Sequence, residues 1–178
     1  MMKRFIFLAL LFSLTQSIAV VELDMENQNL ALSELAEMFY DDQDEPIYQQ
    51  DFLQATQLDF SLHSLKHVDD YLHTVRPDFA NLDQAQQFGI VLRAGAYVGE
   101  VIRRNDQKTQ WYWVDYDTAV ALNPELFANF PRSVELAAVL TDGNQFTFPL
   151  NKVVKYMQNG AEDSVAFFAE ATVAQPAQ

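Results

Sequence analysis

The chain reads as an α+β protein, a single domain of helices packed on a small antiparallel sheet, and three observations predict it. A helical spacing of apolar residues runs through 59–105, an aromatic and β-branched stretch begins at Trp111, and helix boundary signals return with Pro149 and Asn159-Gly160. Helices, then strands, then helices is the order of an α+β fold rather than the alternation that builds a parallel sheet.

The first element is a targeting segment. Met1-Met2-Lys3-Arg4 precedes an apolar run from Phe5 to Leu14, shorter than the roughly 18 residues a membrane anchor needs. Ser17-Ile18-Ala19 puts small residues at both recognition positions for a cut after Ala19. The expectation is a signal peptide over 1–19 and a mature protein in the periplasm, or secreted from a cell with one membrane; an uncleaved anchor is the alternative. No later segment is apolar enough to span a bilayer.

Residues 20–56 read as an acidic N-terminal helix and linker. The helix is expected over 27–40, with Asn27 and Asn29 as caps and Leu30, Leu32, Leu35, Ala36, Met38 and Phe39 as apolar positions. Asp41-Asp42-Gln43-Asp44-Glu45-Pro46 has no apolar residue and reads as exposed linker.

The α+β domain occupies 57–172. Ser61 caps a helix that is expected to stop before Pro77, with Leu62, Leu65, Val68, Tyr71, Leu72 and Val75 on one side. The helix from Asp83 to Asn105 carries Phe88, Val91, Gly95, Val98 and Ile102 on one face, widened by Leu92, Ala94, Ala96 and Val101, and reads as the centre of the core. Gly89, Gly95 and Gly99 each cost a helix interior about 1 kcal/mol relative to Ala. That cost points to another element approaching closely at Gly95 and Gly99. Arg103 and Arg104 complement the negative end of the helix, and Asn105 is expected to end it in a left-handed conformation. Strands are expected at Trp111–Tyr116, within Glu135–Thr141 before the turn pair Asp142-Gly143, and at Phe146–Phe148. Helices follow from Pro149 to about Gln158, ended by Asn159-Gly160, and from Asp163 to about Thr172, leaving 173–178 as a disordered tail.

Twenty-five acids against 11 lysines and arginines give a formal charge of −14. Removal of 1–19 takes away Lys3 and Arg4 and no acid, which moves the charge to −16. Such a surface disfavours nucleic acid and anionic membranes, which call for Lys and Arg, and steers a basic protein toward it. The chain has no cysteine, so thiolate metal sites, thiol nucleophiles and disulfides are excluded.

Several motifs in order carry a resemblance: Leu58-Asp59-Phe60-Ser61; Gly95-Ala96-Tyr97-Val98-Gly99-Glu100-Val101-Ile102-Arg103-Arg104-Asn105; the aromatic Trp111; Phe148-Pro149-Leu150-Asn151-Lys152-Val153; and Asn159-Gly160-Ala161-Glu162-Asp163-Ser164. Over roughly 57–172 the chain resembles an uncharacterised bacterial domain family marked by a GAY-x-GE-V-x-RR helix and a terminal NG-x-EDS junction. The resemblance implies a fold unit. It implies no reaction and transfers no catalytic residue.

Three groups of residues are candidates for function. Arg93, Tyr97, Glu100 and Arg104 share one line on the central helix, where a buried carboxylate could serve as an acid or base; a polar contact with the sheet or with Asp163, or simple solvation, are the alternatives. Trp111, Trp113 and Tyr116 offer aromatics for an interface or a carbohydrate platform, unless a covering element makes both strand faces core. His63, His67 and Asp70 have helical spacing that could clamp zinc, but they line up opposite the apolar face and read as a solvated surface, and no metal or cofactor is expected. Phosphate-binding glycine loops, a nucleophile elbow, an H-E-x-x-H pair and calcium loops are all missing from the sequence. The expectation is an exported acidic protein that binds a basic protein without catalysis, of the immunity or inhibitor kind; the alternative is an envelope enzyme using the Glu/Arg group. Oligomeric state is left open.

Overall fold

In a computed structural model the described residues are 25–175, so the calls on 1–19 and on the last residues of the tail lie outside them. The fold is α+β. A helix over 25–38 (α1) is followed by irregular chain with three single-turn 3-10 helices, then α2 (Leu65–Phe79) and α3 (Gln84–Asn105). The sheet consists of β1 (Tyr112–Asp115), β2 (Ala138–Thr141) and β3 (Phe146–Thr147), antiparallel in that order. Between β1 and β2 lie α4 (Tyr116–Leu122) and α5 (Pro124–Phe127), and α6 (Pro149–Asn159) and α7 (Val165–Ala174) close the chain.

Helix α3 is the axis. From Ile90 to Ile102 every residue except Leu92 is buried, which an amphipathic surface helix would not show. Helices α6 and α7 pack on it, α2 joins them, and the inner face of the sheet closes the remaining side. The core they share also takes Leu32, Ala36, Phe39, Ile47 and Leu53, so residues 25–56 pack into the same core as the rest.

The glycines of α3 explain how neighbours come so close. A Cβ on Gly95 would lie 2.8 Å from the Cα of Leu150 in α6, and one on Gly99 would collide with the Trp113 ring and lie 3.2 Å from Pro149 Cγ. Both positions are crossing points, as the sequence predicts. Gly89 faces only Ile47 Cγ2, at an ordinary 3.8 Å.

The sheet sorts its side chains by the two-residue period. Trp113 pairs with Leu140 and both enter the main core, whereas Val114 pairs with Val139 on the outer face. There they meet Ala119, Phe127 and Leu136 in a small second cluster roofed by α4 and α5.

Several elements differ from expectation. Pro77 lies inside α2, which runs on to Phe79; it falls in the last turns, where the carbonyl it leaves unpaired belongs to the exposed His73 and reaches water. Asn105 is helical rather than left-handed, and Asp106 continues as extended chain; its amide instead donates to the carbonyls of Phe60 and Val101, each at 2.8 Å. Phe88 is 45% exposed, because the first turns of α3 project beyond the helices that cover its centre, and Leu30 and Met38 face outward from α1. Helix α7 extends two residues into the expected tail, to Ala174, and Lys108 Nζ donates to the Gln175 carbonyl at 2.7 Å. Helices α4 and α5 lie between the first two strands, where no element was expected. Each is opened by a side-chain cap, Asp115 accepting from the Thr118 N–H and Asn123 from the Leu126 N–H.

The Asn159–Ser164 motif is a junction between two helices. Gly160 has φ +80° beneath the Arg76 guanidinium, which donates to the carbonyls of Met157 and Gln158 at the end of α6. Asp69 of α2 accepts from Ser164 Oγ (2.6 Å) and from the Val165 N–H (2.8 Å) at the start of α7. Lys152 and Asn159 both donate to Asp163.

Crossing-point glycines and free glycines respond oppositely to the same substitution. Gly99→Ala forces Trp113 or α6 to move, and overpacking of this kind costs about 1–3 kcal/mol. Gly89→Ala gains helix propensity of up to about 1 kcal/mol with room for the methyl. Urea melts of the two variants are expected to move in opposite directions from the parent.

Candidate functional site

The four residues read as one polar line on α3 separate into three contacts. Glu100 is fully buried, and both carboxylate oxygens are taken. Oε1 accepts from Arg103 Nε (2.8 Å) and Trp113 Nε1 (3.0 Å); Oε2 accepts from an Arg103 terminal nitrogen (3.0 Å) and Arg104 Nε (3.0 Å). Two cations and an indole thus surround one anion, and the contact with the sheet runs through Trp113. Burial raises the carboxyl's pKa, but the hydrogen bonds from Arg103, Trp113 and Arg104 outweigh it and hold it below its ordinary value near 4.5.

Arg104 extends beyond this pair. Its guanidinium carbon sits 3.7 Å from the centre of the Phe60 ring, and a terminal nitrogen donates to Ser33 Oγ of α1 at 2.8 Å. Phe60 has φ +60°, a conformation rare for a bulky residue. It is held there from several sides. Its N–H donates to Tyr97 Oη at 3.0 Å, its carbonyl accepts from Asn105, and its ring stacks on Tyr97 at 4.7 Å between centres. The Tyr97 hydroxyl also shares a hydrogen bond with Ser64 Oγ at 2.8 Å, and burial pushes its pKa up to about 12.

Arg93 belongs to another contact altogether. It donates to the Glu45 carbonyl at 2.8 Å and lies 3.0 Å from Asp42 Oδ2 in an ion pair with both side chains nearly buried. Asp42 is therefore not part of an exposed linker, although its neighbours from 43 to 46 are. Its Oδ1 accepts from the N–H groups of Glu45 and Asp44, and these with Arg93 hold its carboxyl below the usual range. The run 41–46 is a turn organised around one inward acid.

Trp111 and Trp113 are both core residues, so the strand is covered on the face where an aromatic platform was expected. Trp113 is sealed against Gly99 and Glu100; Trp111 Nε1 donates to Asp106 Oδ2 at 2.9 Å. Tyr116 is half-buried at the start of α4, on the outer side of the sheet, with its hydroxyl donating to the Phe130 carbonyl at 2.6 Å.

Helix α2 carries His63's neighbour His67 and Asp70 on its outward side. The His63 and His67 rings stand 6.3 Å apart, edge to face, and among the described residues no three His, Asp or Glu side chains converge as a metal set. An open polar recess of about 380 Å³ lies beyond Arg103, lined by Asn29, Asp106, Lys108 and Trp111 among others; Glu100 does not line it. Among the described residues no helix is long and apolar enough to cross a membrane.

No protein-family model, curated protein or solved structure matches this chain. The motif resemblance is thus carried by the residues alone. In the structure those residues include the contacts just described: Phe60 on Tyr97, the glycines at close approaches, the Glu100 pair, and the junction between α6 and α7.

Sequence reading found Glu100 and Arg104 as partners and missed the rest of the set. Arg103, three residues after Glu100, was legible by helical spacing. Trp113, Phe60 and Asp42 were not, because their contacts come from distant chain.

Removing the charge of Glu100 leaves Arg103, Arg104 and the Trp113 indole short of acceptors, and loss of one partner from a buried charged pair costs about 3–5 kcal/mol; the partial exposure of both arginines places Glu100→Gln at or below the lower end. The sign of the pH effect follows from the lowered pKa. Stability from Glu100 is present above about pH 4.5 and drains away as pH falls through its folded value. Chemical melts at neutral and acid pH are expected to show the parent losing more stability than Glu100→Gln over that range.

Proposed function

We propose that this chain is a non-catalytic binding protein whose partner is a basic protein, that it acts outside the cytoplasm after export by its N-terminal segment, and that it serves as an inhibitor or immunity-type factor. The observation that carries this reading is the fate of its cations. Arg93, Arg103 and Arg104 neutralise buried acids; Arg132 and Lys152 pair with Asp117 and Asp163; Arg76 caps α6. Positive charge is thus largely engaged within the fold while Asp41, Asp44, Glu45, Asp51, Asp70 and Glu125 stand exposed. A surface so biased raises the encounter rate of a cationic protein and rejects an anionic one.

The catalytic alternative draws no support from Glu100. A general acid or base must reach substrate, and this carboxylate has no exposed atom and four donors on its two oxygens. Tyr97 is equally withdrawn, with its pKa well above physiological pH.

Steering by net charge is screened over about 8–10 Å at physiological ionic strength. The association rate for a basic protein captured from the envelope is expected to fall at least about tenfold from low to physiological salt, with a smaller change in dissociation. Surface plasmon resonance over a salt series measures both, and a rate indifferent to salt removes the electrostatic basis of the reading.

A further inference from the structure

The two faces of the sheet are unequally covered. The inner face lies under α3 and α6, whereas among the described residues the outer face is covered by α4, of seven residues, α5, of four, the turn that carries Leu136, and Met25 at the start of α1. This roof is thin. Tyr112, Tyr116, Val120, Phe146 and Phe148 remain only partly buried against the outer cluster. Leu122, Leu126 and Phe130 are 46%, 39% and 47% exposed, three large apolar side chains within nine residues of chain.

Charge selects what could cover them. From Thr109 to Asn151 the chain has a single cation, Arg132, and that one pairs with Asp117 and leans over the Tyr116 ring. The same stretch holds Asp115, Asp117, Glu125, Glu135 and Asp142. A second copy of this chain would bring the same acids against the same acids, which costs affinity. Apolar anchors at the centre with complementary charge around them is the usual anatomy of a protein interface.

We infer that the lobe formed by residues 116–136 is the docking surface for a cationic amphipathic partner, one that presents apolar side chains ringed by lysine or arginine. The inference rests on the binding reading above and assigns it a place. It moves the interface expected at Trp111, Trp113 and Tyr116 off the buried tryptophans, to the opposite side of the sheet, and keeps Tyr116.

Two synthetic peptides of equal charge and length test it, one a lysine/leucine amphipathic helix and the other lysine/serine, titrated by fluorescence anisotropy against the parent, Leu126→Ser/Phe130→Ser, Glu125→Lys and Phe167→Ser. Phe167 is 71% exposed on α7, away from the lobe, and serves as the control. The parent is expected to bind the lysine/leucine peptide at least about tenfold tighter than lysine/serine. The double substitution is expected to erase that preference, Glu125→Lys to weaken both peptides, and Phe167→Ser to leave the preference intact. Glu125→Lys alters only an exposed side chain and so decides the matter if the double variant melts early. A preference that survives the double substitution in a folded variant, affinities left unmoved by Glu125→Lys, or a preference that falls equally with Phe167→Ser overturns the lobe. Equal affinity for the two peptides overturns the lobe and leaves charge-steered binding standing, whereas binding of neither overturns both.

Discussion

Helix α3 is buried at every residue but Leu92 from Ile90 to Ile102, and that enclosure governs the rest of the molecule. A helix in this position satisfies its own backbone, but each polar side chain it carries must be met by something inside the fold. The sequence places five there or at its end: Arg93, Tyr97, Glu100, Arg103 and Arg104, with Asn105 closing the helix. Arg103 closes on Glu100 within the helix, and each of the others has a partner from a different part of the chain. Arg93 gathers the 41–46 turn, Tyr97 and Asn105 fix Phe60, Arg104 reaches Ser33 in α1, and Glu100 holds Trp113 in β1. What looked like one polar site is a set of clasps by which the central helix fastens four segments that have little regular structure of their own or little area with which to hold on.

The clasps and the glycines depend on each other. Trp113 can donate to Glu100 only because its ring lies directly against Gly99, one residue away on α3. A side chain at 99 would push the indole out and leave both the carboxylate oxygen and the indole N–H short of a partner. Buried hydrogen bonds are worth about 1 kcal/mol net when made and more when broken on one side, so packing and polar satisfaction fail together here. The same coupling holds Phe60 in its left-handed backbone. A ring stacked between Tyr97 and Arg104, with both its backbone groups bonded to α3, offsets a conformational cost of about 1–3 kcal/mol.

Those couplings also explain what was legible from sequence. Periodicity located α2 and α3, because burial of a stripe is a local pattern; boundary residues located α6 and α7, and aromatic and β-branched content with the Asp142-Gly143 turn located the strands. The close approaches at Gly95 and Gly99 were legible because glycine inside a long helix is costly without one. Asp42 was not legible, since any of four acids in an acidic run could turn inward and only the position of Arg93 decides which does. Trp113 was ambiguous for the same reason: an aromatic strand does not say which face is covered. Helices α4 and α5 are too short to show a period, and their only local signs were the Asp115-x-x-Thr118 and Asn123-Pro124 caps. Proline 77 misled because the rule against proline weakens where the orphaned carbonyl faces water.

Consumption of cations by the core bears on the outer surface. Each arginine drawn in to neutralise a buried acid is lost to the exterior, while most of the 25 acids remain outside. Each such pair withdraws an acid as well, so three arginines set against Asp42 and Glu100 remove one net positive charge at most; the excess of negative charge is set by composition, and a globally acidic chain would carry it with no partner at all. A binding role requires more than that excess. It requires a place where the charge surrounds something that binds, and the outer face of the sheet is such a place: its roof leaves leucine and phenylalanine in water, and the stretch that carries them keeps almost no positive charge. The other exposed apolar side chains, among them Leu30, Phe52, Phe88 and Phe167, lie on separate elements, whereas Leu122, Leu126 and Phe130 fall within one short stretch.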